Sequence, residues 1–498
     1  MAGSAHGETT RQRLSAQAAD LALRLGPVRR WILRRGDRLL QEFYCERNID
    51  EFPLGIQEMR YTALMNLLRS LERAVADGRL APRPRMGILK VFVGQVVAGG
   101  RRNVVPFQQR HGFEPPAFLV ISPTQRCNLY CAGCYAASSS KDTATLEYET
   151  FARILRDKRD DWGSHFTVIS GGEPFMYKSQ GKTLFDVLEE FRDNYFLIYT
   201  NGTLINERVA ERLAELGNVC PSISVEGFER ETDARRGAGV FRQIERAMDA
   251  LRKAGVPFGI SMTATRDNAD VLLSEGIISH YFDEKGAVLA WLFHYMPIGR
   301  SYTVDMMVTP EQRKRLLDRQ LDLMRNRGLF FIDFWNGGAM SAGCLSAGRE
   351  GGYFHVDWNG NISPCVFIPY AVDNAYEMYA SDRTLSSVLS HPAFEAIRAW
   401  QADYAGKNRS GRVGNLFMPC PMRDHHEVAH DVLVKFGAKP MNSDAASALA
   451  DPQYRARMVE YGRKLSGLLD PVWEREVLSR RGNGRDDDDR RTEPRSAP

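Results

Sequence analysis

The segment AFLVISPTQRCNLYCAGCYA (117–136) places an apolar run directly before three closely spaced cysteines. Residues 117–124 have the apolar content of a buried strand, and Cys127, Cys131 and Cys134 follow with the spacing C-x3-C-x2-C. Three thiolates on one short loop can ligate three irons of a cubane cluster, which leaves the fourth iron open to a small molecule. A structural zinc site, the main rival, needs four ligands, and this loop offers only three. The pattern therefore favours an iron–sulfur site.

Strands and helices alternate after this segment. Five further candidate strands lie at 166–170, 195–201, 221–227, 257–264 and 287–296. Helical stretches separate them, as parallel strands require. Six such units predict an α/β fold, a partial (β/α)6 barrel over residues 116–335. The loops at the carboxyl ends of its strands would form the reaction face.

The motif CNLYCAGCY (127–135) resembles the cluster-binding motif of the radical S-adenosylmethionine (SAM) superfamily. That motif usually has an aromatic residue just before the third cysteine, where this sequence has Gly133, and Tyr135 follows the cysteine. Which ring packs on the adenine of SAM stays open, and Tyr135 is the candidate. The resemblance extends over roughly residues 116–300 and implies the partial barrel of that superfamily.

Later strand ends also resemble SAM-binding positions of the superfamily: SGGEP (170–174), YTNG (199–202), and SISVEG (222–227) followed by TDARRGAGVF (232–241). Alone, GGEP is as readily a turn, and polar strand ends are often helix caps, but their joint position at consecutive strands favours a ligand. The resemblance implies that Glu173 accepts from the SAM amino group and that Arg236, with Arg235 as a rival, meets the carboxylate. The cofactor-binding candidates are Tyr135, Ser170, Gly171, Gly172, Glu173, Pro174, Thr200, Asn201, Ser224, Glu226 and Arg236.

The same resemblance implies an enzyme whose cofactors are a 4Fe–4S cluster and SAM. An electron from a donor such as ferredoxin or flavodoxin would pass through the cluster into SAM. Methionine and a 5′-deoxyadenosyl radical would form, and the radical would take a hydrogen atom from the substrate. The protein must orient these groups and exclude quenchers.

His294 and Tyr295 are the catalytic candidates, because they lie near the end of the sixth candidate strand, where a proton donor would be useful. The segment PIGR (297–300) is expected on the same face. A structural histidine whose hydrogen bonds are satisfied is the more common alternative.

A second cysteine group follows the core. Cys344 is followed by fifteen residues, Gly360, four residues and Cys365, a spacing that resembles the opening of SPASM/twitch extensions, which bind auxiliary iron–sulfur clusters. Asn359-Gly360 predicts a hairpin with a type I′ turn between the two cysteines. Cys420 could supply a third ligand, so a second cluster is predicted, with His425, His426, a carboxylate or the substrate as the fourth ligand. The alternative is free cysteines packed in a core, the interpretation that we give to Cys220.

Residues 1–115 form a basic, mostly helical region, with 19 Lys and Arg against 11 Asp and Glu. Amphipathic helices and the apolar stretch MGILKVFVGQVVAGG (86–100) suit the plane of an anionic membrane surface, although such helices usually pack on a neighbouring domain. No apolar run reaches the ~18 residues of a spanning helix. Patterned cysteines favour the cytoplasm, with a peripheral contact at the inner membrane face left open, and we expect no nucleic-acid partner.

Three more segments complete the predicted organisation. Residues 336–435 form a twitch/SPASM-like domain, 436–480 form C-terminal helices, and 481–498 form a disordered tail without apolar residues to bury.

The substrate stays open between two hypotheses. The second cysteine group favours a peptide or protein maturase. The basic amphipathic helices favour radical modification of a lipid or other apolar chain at a membrane surface. A third hypothesis, an iron–sulfur sensor without catalysis, would leave the GGEP and strand-end positions unexplained.

Overall fold

The computed structural model describes residues 25–47, 51–97, 104–406 and 413–479. The strands are β1 Leu119–Ile121, β2 Phe166–Ile169, β3 Lys178–Ser179, β4 Lys182–Thr183, β5 Tyr195–Thr200, β6 Val219–Val225, β7 Gly259–Ala264, β8 Leu289–His294, β9 Phe331–Asp333, β10 His355–Val356, β11 Asn361–Ser363, β12 Tyr370–Ala371, β13 Asp373–Asn374 and β14 Lys439–Pro440. The helices are α1 Gly26–Gln41, α2 Leu54–Ala76, α3 Pro82–Gly87, α4 Val104–His111, α5 Tyr148–Trp162, α6 Leu184–Glu190, α7 Glu207–Leu216, α8 Glu229–Arg236, α9 Val240–Ala254, α10 Ala269–Leu272, α11 Glu275–Ile278, α12 Pro310–Asn326, α13 Ala375–Ala380, α14 Pro392–Tyr404, α15 His426–Lys435, α16 Ser443–Ala450 and α17 Pro452–Trp473.

Ten strands form one sheet in the order β13-β11-β10-β1-β2-β5-β6-β7-β8-β9. From β10 to β9 every neighbouring pair is parallel. Apolar faces of α5, α7 and α9 pack against one side of these strands in a continuous core. The predicted α/β fold with six parallel units is confirmed, and β9 is a seventh core strand that the sequence analysis did not predict.

The predicted extension shares this sheet. β10 pairs in parallel with β1, with His355 opposite Val120, and β11 returns antiparallel beside it. The hairpin between the second-group cysteines is therefore confirmed, but its type I′ turn is wrong. That turn needs positive φ at both central residues, and of Asn359 and Gly360 only Gly360 has one, at 75°.

The apolar stretch after α3 packs on the barrel. Ile88 and Val91 are buried, and the Phe92 ring centroid lies 5.5 Å from that of Tyr195 and 6.2 Å from that of Phe166. These partners begin β5 and β2, so they already cover the apolar face. Ile88, Val91 and Phe92 therefore pack on the protein itself, the membrane-surface interpretation of the rest of residues 86–97 stays a prediction, and 98–100 lie outside the described residues.

Helices complete the two ends of the chain. α2 contacts α12, and the long α17 packs on α12 and α15; α16 and α17 lie within the segment predicted as C-terminal helices. None of the described helices is long and apolar enough to cross a membrane. The predicted disordered tail, 481–498, lies outside the described residues.

Candidate active site

The three cysteines of the first group lie on the loop that follows β1. Cys127, Cys131 and Cys134 line a cavity of about 320 Å³ at the carboxyl ends of the parallel strands. Backbone bonds fix the loop: the Cys127 N–H donates to Ser139 O at 3.0 Å, and the Ala132 N–H donates to Arg235 O at 3.0 Å. The structure therefore brings all three predicted thiols to one cavity.

The chemistry of these thiols fits an iron–sulfur cluster. Burial raises the pKa of Cys127 to about 12 and also raises the pKa of Cys131, so a thiolate here needs nearby positive charge, which iron supplies. Among the described residues, no three His, Cys, Asp or Glu side chains lie in positions where they could together hold a single metal ion. In a cubane cluster, each cysteine binds a different iron.

The two glycines after β2 allow that strand end to approach the cysteine loop. A Cβ on Gly172 would lie 2.3 Å from Arg126 O, and the Gly172 N–H donates to Thr124 O at 2.9 Å. Ser170, Gly171 and Gly172 also line the cavity. The glycine at position 172 thus allows the loop after β2 to pack closely against the loop that carries the cysteines.

Glu173 is fully buried behind the cavity wall. Its Oε1 accepts from Thr200 Oγ1 at 2.8 Å and from Phe175 N at 3.2 Å, and its Oε2 accepts from Asn201 N at 2.8 Å. Burial raises the pKa of this carboxyl to about 7. The carboxylate joins the ends of β2 and β5, and neither Glu173 nor the buried Pro174 is among the residues that line the cavity, so their SAM contacts stay predictions.

A pair of arginines forms the polar side of the cavity. Glu226 is fully buried, and its Oε1 accepts from Arg235 Nη1 at 2.5 Å and from Arg236 Nη2 at 2.5 Å. Glu226 Oε2 and Arg235 Nε have no hydrogen-bond partner in the described part of the chain. One carboxylate between two guanidinium groups leaves net positive charge beside the cavity, which suits the carboxylate of SAM. Thr200, Asn201 and Ser224 line the same cavity, whereas Glu226 lies behind the arginines.

Tyr135 lies in the cavity wall, as predicted. Its hydroxyl oxygen accepts from the Gly171 N–H at 3.1 Å, and its ring meets that of Phe367 edge to face at 5.7 Å. The rest of the wall is mostly apolar, with Phe118, Val168, Leu197, Tyr199 and Phe293 among its residues.

The two predicted catalytic residues are engaged by the protein itself. His294 Nε2 lies 2.8 Å from Asp333 Oδ2, and burial lowers the pKa of His294 to about 4, so the ring is neutral near pH 7. The Tyr295 hydroxyl donates to Ser301 O at 2.8 Å, and burial raises its pKa to about 12. Both line the cavity, but these bonds favour structural roles over the predicted proton donation.

The second cysteine group lines a second cavity of about 280 Å³. Burial raises the pKa of Cys365 to about 12 and also raises that of Cys420, whose pKa the nearby Cys344 raises further. His425 and His426 do not line this cavity; their ring nitrogens lie 2.9 Å from Met418 O and 2.8 Å from Met422 O. The structure thus brings the three cysteines together without either histidine. The residues common to both cavities are Trp291, Phe334, Leu345, Tyr353 and Phe367.

Of two further residues near the first cavity, Asp333 was not predicted, and Arg300 was predicted only as part of the PIGR segment. Asp333 holds His294, and Arg300 of the PIGR segment donates to Cys131 O at 2.5 Å. The available signal for Asp333 was a carboxylate inside the apolar run FFIDFW (330–335). The place of PIGR after the sixth strand predicted that Arg300 lies on this face, but no pattern indicated its bonds to the cysteine loop.

The chain is similar to known proteins over part of its length. Residues 121–270 match the radical SAM superfamily. The AdoMet-dependent heme synthase of Methanosarcina barkeri is 27% identical over 290 residues, which cover 53% of this chain and 80% of that protein. The mycofactocin maturase MftC of Mycobacterium ulcerans is 31% identical over 218 residues, which cover 42% of this chain and 56% of that protein. The crystal structure of Streptococcus suis SuiB bound to precursor peptide SuiA aligns with a TM-score of 0.48 at 21% identity, covering 60% of this chain and 70% of that chain. Residues 121–270 are therefore a radical SAM domain, and the chain is an enzyme whose cofactors are a 4Fe–4S cluster and SAM.

Proposed function

We propose that Cys127, Cys131 and Cys134 hold the 4Fe–4S cluster and that the cavity beside them binds SAM, with its carboxylate toward Arg235 and Arg236. The observation that carries this proposal is that the three thiols and the arginine pair line one cavity at the strand ends. A ferredoxin or flavodoxin supplies the electron. When bound, the cluster and SAM supply a carbon radical that can take a hydrogen atom from an unactivated C–H bond.

The protein itself orients the groups that would bind SAM and excludes water from the cavity. Glu226 fixes both guanidinium groups, so the charge that receives a carboxylate is in place before binding. The Gly171 N–H holds the Tyr135 hydroxyl and with it the ring orientation. Apolar side chains across the cavity exclude water, which protects a reactive carbon radical from quenching.

Anaerobic reconstitution tests this assignment. With a reductant, the wild-type chain should convert SAM to 5′-deoxyadenosine and methionine, and replacing Cys127, Cys131 and Cys134 together with Ala should abolish that conversion. A matched control replaces Cys45 and Cys220, which line neither cavity, with Ala. Wild-type cleavage by the first triple variant would refute the assignment.

We propose a peptide or protein as the substrate. The name of the MftC relative, a maturase, and the second cysteine group support this class. A second candidate is a tetrapyrrole, favoured by the M. barkeri heme synthase, of which this chain covers 80%. The aromatic wall between the two cavities suits either an apolar peptide side chain or a planar ring.

Binding to hemin separates the two substrate classes. Titration of hemin into the reconstituted enzyme should give no saturable change in its absorbance if the substrate is a peptide. A short open reading frame beside the gene, expressed with the enzyme, should then give a peptide of altered mass. Saturable hemin binding together with an unmodified peptide would favour the tetrapyrrole.

The second cavity is proposed to hold an auxiliary cluster on Cys344, Cys365 and Cys420. Support comes from the single cavity that all three cysteines line. Tyr353 lines both cavities, and its hydroxyl lies 2.9 Å from Cys365 Sγ. Three protein ligands would leave one iron open toward the substrate.

A peripheral membrane contact through α1 is proposed as well. Trp31 is 61% exposed, Leu39 is 48% exposed, and Arg34, Arg35 and Arg38 are exposed on the same helix. Apolar and basic side chains exposed together suit an anionic lipid surface. The lipid as substrate has no support among the relatives, and the apolar stretch, one of the two features that motivated it, packs on β2 and β5.

A further inference from the structure

The segment after β8 closes on the cysteine loop. Gly299, with φ of 68°, comes so close that a Cβ there would lie 2.1 Å from Tyr135 O. The next residue, Arg300, donates its backbone N–H to Cys134 O at 2.9 Å. Only glycine at position 299 allows this approach, so the contact is built into the backbone.

The side chain of Arg300 holds the same loop from a second side. Its Nη1 donates to Cys131 O at 2.5 Å, its Nη2 donates to Ser138 O at 2.5 Å, and its Cζ lies 3.4 Å from the centroid of the Tyr130 ring. All of these partners belong to the loop that carries the three cysteines. A planar guanidinium presents its two Nη groups to two carbonyls in a fixed geometry that the compact ammonium of lysine does not reproduce.

We infer that Arg300 is a positioning residue for the cluster-binding loop and that its charge raises the reduction potential of the cluster held there. This inference rests on the proposed ligation by Cys127, Cys131 and Cys134. The guanidinium bonds to the backbone at Cys131 and Ser138, and the Arg300 backbone N–H bonds to it at Cys134. Reduction adds negative charge to the cluster, and a cation bonded to its loop stabilises that charge.

Two variants separate the geometric contribution of Arg300 from its charge. Arg300→Met removes both, and Arg300→Lys keeps the charge without the two-carbonyl bridge. Arg463→Met is the matched control, because Arg463 is exposed on α17 and pairs with Glu460. The measurements are amide hydrogen exchange of residues 127–135 in the cofactor-free protein and the midpoint potential of the reconstituted cluster, followed by electron paramagnetic resonance.

The amide hydrogens of residues 127–135 should exchange faster in both variants than in the wild type and the control. The midpoint potential should shift to more negative values in Arg300→Met, with a smaller shift in Arg300→Lys. Unchanged exchange and an unchanged potential in Arg300→Met would overturn the inference. If the wild type takes up no iron, the proposed function fails, while exchange in the cofactor-free protein still tests the loop contact.

Discussion

The ring of Tyr295 occupies the space that a side chain at residue 133 would need. A Cβ on Gly133 would lie 2.5 Å from Tyr295 Cε2, and Gly133 has a φ of 61°. The motif that this loop resembles has an aromatic residue at position 133, and here a ring from the end of β8 lies beside that position. The position of the Tyr295 ring therefore requires that residue 133 have no side chain.

Gly133→Ala should weaken both folding and cluster binding. The positive φ alone costs a residue with a Cβ about 1–2 kcal/mol, and the clash with Tyr295 adds to that. We expect a lower urea midpoint and fewer irons per chain after reconstitution. Gly467→Ala on α17, where a Cβ meets nothing within 4 Å, is the control. Adding Tyr295→Ala should recover part of the loss; equal iron content in Gly133→Ala and wild type would contradict this account.

Glu173→Ala should destabilise the cofactor-free protein. The change strips acceptors from the Thr200 hydroxyl and the Asn201 N–H, both buried, at about 1–3 kcal/mol for each donor left unpaired. Urea unfolding should therefore show a clear loss, with Glu149→Ala, a largely exposed glutamate, as the control. If SAM binding weakens while the free energy of unfolding stays unchanged, Glu173 contacts the SAM amine as the resemblance implies.

Local signals in the sequence predicted the strands and the cysteine loop. Apolar runs separated by helical stretches identified six of the seven parallel core strands, and thiol spacing identified both cysteine groups. β9 was missed because it has only three residues and Asp333 interrupts its apolar run. The hydrogen-bond partner of Asp333, His294, is 39 residues away in the sequence, and no local pattern encodes such a pair.

The placement of the predicted site residues depends on tertiary contacts. The SAM contacts of Glu173 and Glu226 stay predictions; the structure adds that Glu173 joins two strand ends and that Glu226 holds two arginines. A polar residue at a strand end looks the same in the sequence whether it faces a ligand or a neighbouring loop. The apolar stretch 86–97 was ambiguous for the same reason, since a barrel and a membrane both cover apolar side chains.

Stability should fall in acid because His355 is buried and neutral. Burial lowers its pKa to about 3, and its nitrogens lie 2.9 Å from Ser122 Oγ and 3.2 Å from Ser363 Oγ. Since the unfolded chain binds a proton below about pH 6.5 and the folded chain does not, the free energy of unfolding decreases as pH falls. The contribution of His355 should make the free energy of unfolding about 2 kcal/mol lower at pH 5 than at pH 8.

His355→Gln tests that contribution by difference. Urea unfolding of wild type and variant at pH 8 and pH 5 should show a smaller acid loss in the variant, and other titrating groups cancel in the comparison. His430→Gln on α15, whose imidazole is partly exposed beside Asp431, is the control. Equal acid losses in wild type and His355→Gln would show that His355 is not the buried neutral group.

Membrane contact through α1 should require both anionic lipid and exposed apolar side chains. The chain should float with phosphatidylglycerol vesicles at low salt and not with phosphatidylcholine vesicles, because each arginine near an anionic surface contributes about 1 kcal/mol. Trp31→Glu with Leu39→Glu should abolish flotation. Val434→Glu on α15, at an equally exposed apolar position, should leave it unchanged. Absence of flotation by the wild type would remove this partner.

The second cysteine group gives the last prediction, which counts iron. If Cys344, Cys365 and Cys420 hold a cluster, the reconstituted wild type should contain about eight irons per chain, and each triple alanine variant about four. Removing the second group should keep SAM cleavage and abolish turnover of the substrate, because the first cavity keeps its own thiols and arginines. It should also lower the stability of the reconstituted protein, since metal bound only by the folded state stabilises that state.

Cys45 and Cys220, two separate cysteines that line neither cavity, supply the control: the variant with both replaced by Ala should keep about eight irons. A wild type with about four irons, all lost with Cys127, Cys131 and Cys134, would show that the second group packs as free thiols. In that case Tyr353 would bond to a thiol of the core, and the maturase proposal would lose its structural support. The tetrapyrrole candidate, which needs no second cluster, would then lead.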